Sequence, residues 1–158
     1  MVQYASWTKA DAYFRLCFYA RRELLLQSGP LAYSRTTPLF LMPNWWIRDN
    51  EERLRQDEIK FSENIPAVEI TNSRIDAILA FDRSDRLAEI EVPTLVVCAR
   101  DDILTPPYYS EELARRIPGA ELIILEKGGH ACSQTVPQTF NQAVLEFLLK
   151  QQEPVNAA

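Results

Sequence analysis

The chain has 158 residues, 47% apolar and 25% charged, enough for one globular domain with a modest core. A formal net charge of −5 and a pI near 5.0 offer no basic face to nucleic acid or an anionic membrane, and no apolar run approaches the ~20 residues of a membrane helix. Three scattered cysteines and a single histidine make no zinc pattern, so Cys17 and Cys98 read as small core residues of a cytoplasmic protein with reduced thiols.

The first eighty residues read as helices only. From Trp7 to Gln27, Tyr13, Leu16, Ala20 and Leu24 recur on one line, and Phe14, Cys17, Phe18 and Leu25 recur beside it. An apolar face that wide must be covered on two sides or line a cavity. Ser28-Gly29-Pro30 stops this helix, with Gly29 suited to the left-handed position. Leu31 to Leu41 predicts a short second helix. Trp45 and Trp46 are adjacent and cannot share a helix face, so either both pack against different neighbouring helices or one of them is partly exposed or faces a pocket. Asp49 with Glu52 resembles a capping box opening a charged surface helix, in which Leu54, Phe61 and Ile65 are the sparse apolar positions. Pro66 leads into a further helix through Ile75, Ile78 and Leu79.

The character changes near Asp82, from helices to strand–helix–strand–helix. Thr94 to Ala99 is a short apolar run between Pro93 and Arg100-Asp101-Asp102, the pattern of a strand buried on both faces. Pro106 opens a helix with Leu113, Ala114 and Ile117 on one face. Glu121 to Leu125 is a second strand. Pro137 opens the last helix, in which Phe140, Ala143, Val144, Phe147 and Leu148 make an amphipathic stripe. The organisation expected is a helical segment over 1–82, an α/β segment over 83–150 and a frayed tail over 151–158.

In a parallel sheet the loops after both strands share one edge. Asp101 and Asp102 lie in the first of these loops. Gly128-Gly129-His130 lies in the second and carries the chain's single histidine. An acid followed by a histidine, each after a strand, is the acid and base part of a Ser…Asp…His triad. A pair of aspartates after a strand also serves as a turn or helix cap, so either aspartate could carry the role. The serines lack the flanking glycines of a nucleophile elbow. Cys132 and Ser133 lie beside His130 without a preorganised geometry.

These motifs resemble an α/β-hydrolase. The stretch Val92-Pro93-Thr94-Leu95-Val96-Val97 is similar to the family's penultimate strand, Gly128-Gly129-His130 to its histidine loop, and the helices before Asp82 to its cap. More narrowly, Trp7 to Leu26, Pro38 to Trp46 and Gly128 to Cys132 resemble the aminoacrylate hydrolases of the Rut pyrimidine-degradation pathway. The resemblance implies an incomplete α/β-hydrolase fold: a helical cap followed by the last two parallel strands and their helices. The family's acid stands four residues before a proline, and Pro106 then selects Asp102, with Asp101 its neighbour. Asp102 would orient His130, and His130 would move the proton of a serine or water. Trp45, Trp46 and Leu104 are the expected substrate-lining residues.

The implied substrate of the complete enzyme is a small aminoacrylate, and no metal or organic cofactor is implied. Without the nucleophile the chain by itself should be inactive. An esterase, a carbon–carbon bond hydrolase or a non-catalytic module are the alternatives. With the preceding strand missing, the Thr94–Ala99 strand should expose a bare edge. That edge should drive homo-oligomer formation, either by edge pairing or by exchange of cap helices.

Overall fold

The computed structural model describes residues 1–62, 64 and 66–152. Ile65 and the tail from residue 153 lie outside the described residues. Gln151 and Gln152 form an exposed turn.

The sheet has three parallel strands rather than two. Strand β1 (Val2–Tyr4) pairs with β2 (Leu95–Ala99), and β2 pairs with β3 (Glu121–Leu125). In register, Tyr4 stands opposite Val97, and Val97 opposite Ile123. The expectation of an all-helical start therefore fails at β1. So does the expected bare edge on β2, because β1 occupies it and leaves its own outer edge unpaired among the described residues. Three residues are too short for a period-two pattern to register, which is why sequence periodicity misses this strand. All five residues of β2 are fully buried. Leu95, Val97 and Ala99 face Leu125, Cys132 and Phe147 on one side, while Val96 faces Leu87, Leu113 and Ile117 on the other. The helices behind these faces are α6 (Pro107–Arg116) on the second side, and α7 (Cys132–Thr135) and α8 (Pro137–Lys150) on the first.

Between β1 and β2 the chain makes the helical cap: α1 (Ala12–Thr36), α2 (Pro38–Leu41), α3 (Asn44–Asp49), α4 (Glu51–Ser62) and α5 (Val68–Ala80). A 3-10 turn (Ser84–Glu89) leads out of it. Helix α1 starts later than the sequence predicts because Asp11 caps it, its side chain accepting from the Phe14 N–H at 2.9 Å. Gly29, at φ 83°, breaks α1 as expected, and Pro30 resumes it. One of the two apolar lines on α1 is buried, through Phe14, Phe18 and Leu25, with Arg21 among them. The other is open, with Tyr13 and Leu16 exposed.

The Asp49–Glu52 capping box does not form. Asp49 still belongs to α3 and pairs with Arg48 at 2.6 Å, so its backbone is helical rather than extended. Among the described residues, no helix is long and apolar enough to cross a membrane.

Candidate active site

Asp102 and His130 meet where their loops leave the sheet. Asp102 lies in the loop after β2 and its side chain is completely shielded. Its Oδ1 accepts the backbone N–H groups of Leu104 at 2.8 Å and Thr105 at 2.9 Å, so the loop wraps round the carboxylate before α6 begins. Its Oδ2 accepts from Thr105 Oγ1 at 2.8 Å and lies 3.1 Å from His130 Nδ1. A carboxylate only accepts, so Nδ1 is the protonated ring nitrogen and Nε2 is left as the basic one. Nε2 has no hydrogen-bond partner among the described residues, and about a fifth of the His130 side chain (22%) remains accessible.

Asp101 does different work. Its Oδ1 accepts the N–H groups of both Gly128 and Gly129 at 2.7 Å, and its Oδ2 accepts the Trp45 indole N–H at 3.4 Å. It shapes the histidine loop and leaves the imidazole to Asp102. Gly129, at φ 65°, is required here: a Cβ would come within 2.8 Å of Pro43 Cδ and 3.0 Å of the Leu41 carbonyl oxygen. The Ala131 N–H donates to that same Leu41 oxygen at 2.8 Å, so the cap is tied directly to the histidine loop.

A cavity of about 310 Å³ opens beside His130. Leu39, Met42, Pro43, Ile47 and Ile103 supply apolar walls, and Asp101, Gly129 and His130 close the sheet side. The expected lining residues are not among them. Trp46 is buried, with the Arg53 guanidinium over its ring at 5.3 Å. Trp45 is half-buried between Asp101 and Lys127, whose Nζ sits 4.8 Å from the ring centroid. Leu104 is buried in the cap core with Phe14 and Tyr109.

Neither neighbouring candidate acts as a nucleophile in this arrangement. Cys132 is fully buried, and burial pushes its thiol up to about 12, so it stays protonated. The Ser133 hydroxyl donates to the Tyr4 hydroxyl at 3.2 Å rather than to His130. Thr105 is the member of the site that sequence inspection missed. Its Oγ1 lies 3.0 Å from His130 Nδ1, 2.8 Å from Asp102 Oδ2 and 3.2 Å from the Ala5 carbonyl oxygen. The spacing Asp102-x-x-Thr105 before Pro106 is the signal that could have found it, since it is a side-chain-capped turn entering a helix.

Residues 79–158 match the family described as TAP-like protein, an α/β-hydrolase family. The chain belongs to this family. A relative from Azorhizobium caulinodans, provisionally named carbamate hydrolase RutD, is 43% identical over 141 residues, covering 89% of this chain and 53% of its own length. A relative of the same name from Stutzerimonas stutzeri is 39% identical over all 158 residues, which make up 60% of its length. The chain thus spans little more than half of the curated relatives it matches. Two solved structures show the fold: an α/β hydrolase from a Medee basin deep-sea metagenome library (TM-score 0.83, 24% identity, 99% of this chain and 57% of that one) and the enol-lactonase of Burkholderia xenovorans LB400 (TM-score 0.80, 20% identity, 94% and 55%).

Proposed function

We propose that Asp102 and His130 are the acid and base of a Ser–Asp–His triad. On this reading they serve a hydrolase that cleaves a small carbamate- or aminoacrylate-like substrate in pyrimidine nitrogen catabolism. The 3.1 Å approach of Asp102 Oδ2 to His130 Nδ1, with Nε2 left unpartnered and His130 lining a cavity, carries this reading. The names of the relatives, carbamate hydrolase RutD, support the carbamate, and the sequence resemblance described above implies the aminoacrylate.

The chemistry follows from the geometry. Asp102 keeps the proton on Nδ1 and stabilises the imidazolium that forms when Nε2 takes a proton. On a carbamate, Nε2 takes the proton of a serine hydroxyl, or of water, as that oxygen bonds to the carbonyl carbon. It gives the proton to the nitrogen as the carbon–nitrogen bond breaks and ammonia leaves. Where serine attacked, a water deprotonated by Nε2 then cleaves the acyl-serine bond, and the serine oxygen regains the proton. On an aminoacrylate the carbon attacked by water is the nitrogen-bearing one of the imine tautomer, and the same proton transfer releases ammonia. The apolar cavity walls from α2 and α3 exclude water from the reacting centre. No Gly-x-Ser-x-Gly occurs in these 158 residues, so the nucleophile and the oxyanion donors are assigned to sequence outside them.

The test is ammonia release from a small carbamate and from aminoacrylate by the protein translated from its full natural reading frame. The expected result is turnover, lost by a factor of at least about 10³ on His130→Asn, with the 158-residue chain alone at background. Undiminished turnover in the His130→Asn protein, or turnover by the isolated chain, refutes the assignment.

A further inference from the structure

The strand that escaped sequence inspection reaches His130 directly, and the residue after it reaches the Thr105 hydroxyl beside Asp102. Tyr4 ends β1, and its ring packs edge-on against Phe140 at 4.9 Å between centroids. Its hydroxyl donates to the His130 carbonyl oxygen at 2.6 Å and accepts from the Ser133 N–H at 3.3 Å and from Ser133 Oγ at 3.2 Å. One donated and two accepted bonds fill the capacity of a phenol. Burial pushes the Tyr4 phenol up to about 12, so the donor is present throughout the neutral range. Tyr4 is the one hydrogen-bond partner of the His130 carbonyl among the described residues. Ser133 lies in the first turn of α7, where backbone N–H groups have no partner within the helix. A single side chain from β1 therefore satisfies both an orphan carbonyl and an orphan N–H at the point where the chain leaves the imidazole.

The next residue reaches the other side of the pair. Ala5 holds φ at 45°, a left-handed conformation that costs a residue with a Cβ, and its carbonyl oxygen lies 3.2 Å from Thr105 Oγ1, competing with Asp102 Oδ2 for the one hydroxyl proton. Thr105 in turn lies within hydrogen-bond distance of both Asp102 and His130.

We propose that Tyr4 is a positioning residue for His130: its hydroxyl fixes the histidine backbone so that Nδ1 stays on Asp102 and Nε2 stays directed to the cavity. This rests on Asp102 and His130 being the acid–base pair. The other anchors of the loop are Asp101 on the N–H groups of Gly128 and Gly129, the Thr135 hydroxyl on the Gly128 carbonyl, and the Leu41 oxygen on the Ala131 N–H. The last holds the far side of the peptide group whose carbonyl Tyr4 holds, so Tyr4 completes the clamp on that plane. Removing the phenol oxygen leaves the His130 carbonyl and the Ser133 N–H unpaired, and the loop gains freedom at the residue whose geometry matters most.

The chain contains one histidine, so its imidazole signals in a nitrogen-15-labelled sample need no assignment. The experiment measures exchange of the His130 Nδ1 proton with water in the unmodified chain and in Tyr4→Phe, Phe140→Leu and Asp102→Asn. Tyr4→Phe should accelerate exchange at least tenfold. Phe140→Leu, which loosens the same packing but keeps the hydroxyl, should stay within twofold. Asp102→Asn should give the largest acceleration of the series. Exchange within twofold of the unmodified chain in Tyr4→Phe, with Asp102→Asn still fast, overturns the role of Tyr4 and leaves the acid–base pair standing. An unaltered rate in Asp102→Asn overturns the pair itself. Should Tyr4→Phe fail to fold, hydroxyl exchange in the unmodified chain with carbon-13-labelled tyrosine decides the matter. A Tyr4 hydroxyl proton protected at least tenfold relative to exposed tyrosines supports the role, and one exchanging as fast as theirs refutes it.

Discussion

The sheet and the cap solve the same packing problem with different materials. Strand β2 presents only apolar residues, and helices close both of its faces, so all five of its side chains are sealed. The cap gathers one apolar line of α1 around Ile75, Leu104 and Tyr109, and leaves Leu16, Leu39 and Ile59 more than half exposed. Its interior also admits a cation, Arg21, which is 7% exposed. A two-sided core leaves little choice of partner at each position, whereas a one-sided helical layer tolerates exposure and polar intruders. The rigid part carries Asp102 and His130. The looser part forms the cavity walls at Leu39, Met42 and Ile47.

The largest effect should come from opening the sealed layer. Leu95→Ala removes a fully buried side chain between β1 and α8's face of the core, and should cost about 2–5 kcal/mol in urea unfolding. Loss below ~1 kcal/mol would mean that this layer is no tighter than the cap. The seam between the two regions comes next. Gly129→Ala forces a Cβ to within 2.8 Å of Pro43 Cδ at a positive φ and should cost about 2 kcal/mol or more. It should also speed amide exchange of Ala131, whose bond to Leu41 joins cap to loop. A Gly129→Ala protein with unchanged Ala131 exchange would show that the seam is not where the regions are coupled.

Legibility in the sequence followed the same division. Both long strands, the helix after each and the pairing of an aspartate with His130 were readable, because two-sided burial writes unbroken apolar runs and punctuates them with proline and glycine. The choice between Asp101 and Asp102 was not readable from residue type. It depends on which carboxylate the turn directs back to the N–H groups of Leu104 and Thr105, and which it directs across to Gly128 and Gly129. Strand β1 was too short to announce itself, and with it went Tyr4 and Ala5. The cap was over-read. Tyr13, Leu16, Ala20 and Leu24 form a convincing apolar line, yet Tyr13 and Leu16 face outward, and the buried line includes an arginine that no hydrophobic pattern would place inside. Trp45 and Trp46 stand close to the site in sequence but outside the cavity wall, since α3 turns Ile47 toward it instead.

A smaller effect separates how the cap is tied down at its entrance. Asp11 caps α1 through the Phe14 N–H and accepts from the Tyr108 hydroxyl of α6 at 2.8 Å. Burial pushes its carboxyl up, but the Phe14 N–H and the Tyr108 hydroxyl pull it down, and the net shift is below the usual value. A carboxyl lowered in the folded state contributes stability that is complete above the ordinary carboxylate range and is lost as pH falls through the lowered folded value. Asp11→Ala should therefore cost about 1 kcal/mol at pH 7, and the gap to the unmodified chain should narrow steadily below about pH 4. A gap that is constant with pH would assign the cost to packing rather than to the ionised cap.

The smallest effect concerns Arg21, the residue that most distinguishes the cap interior from the sheet. Its guanidinium lies over the rings of Tyr33 at 4.6 Å and Phe40 at 4.9 Å, and Nη2 donates to the Tyr33 hydroxyl at 2.7 Å and to Thr37 Oγ1 at 3.3 Å. Nε and Nη1 have no partner among the described residues. Two terms oppose each other here. The stacked rings and the Nη2 bonds favour the charge by about 2 kcal/mol or more, while each unpaired buried donor costs about 1–3 kcal/mol. They nearly cancel, so Arg21→Met, which keeps the length and the ring contacts without the charge, should change stability by no more than about 1 kcal/mol. A loss above ~3 kcal/mol, measured by urea unfolding at pH 7, would mean that Nε and Nη1 do find partners, and that the cap interior is as fully satisfied as the layer around β2.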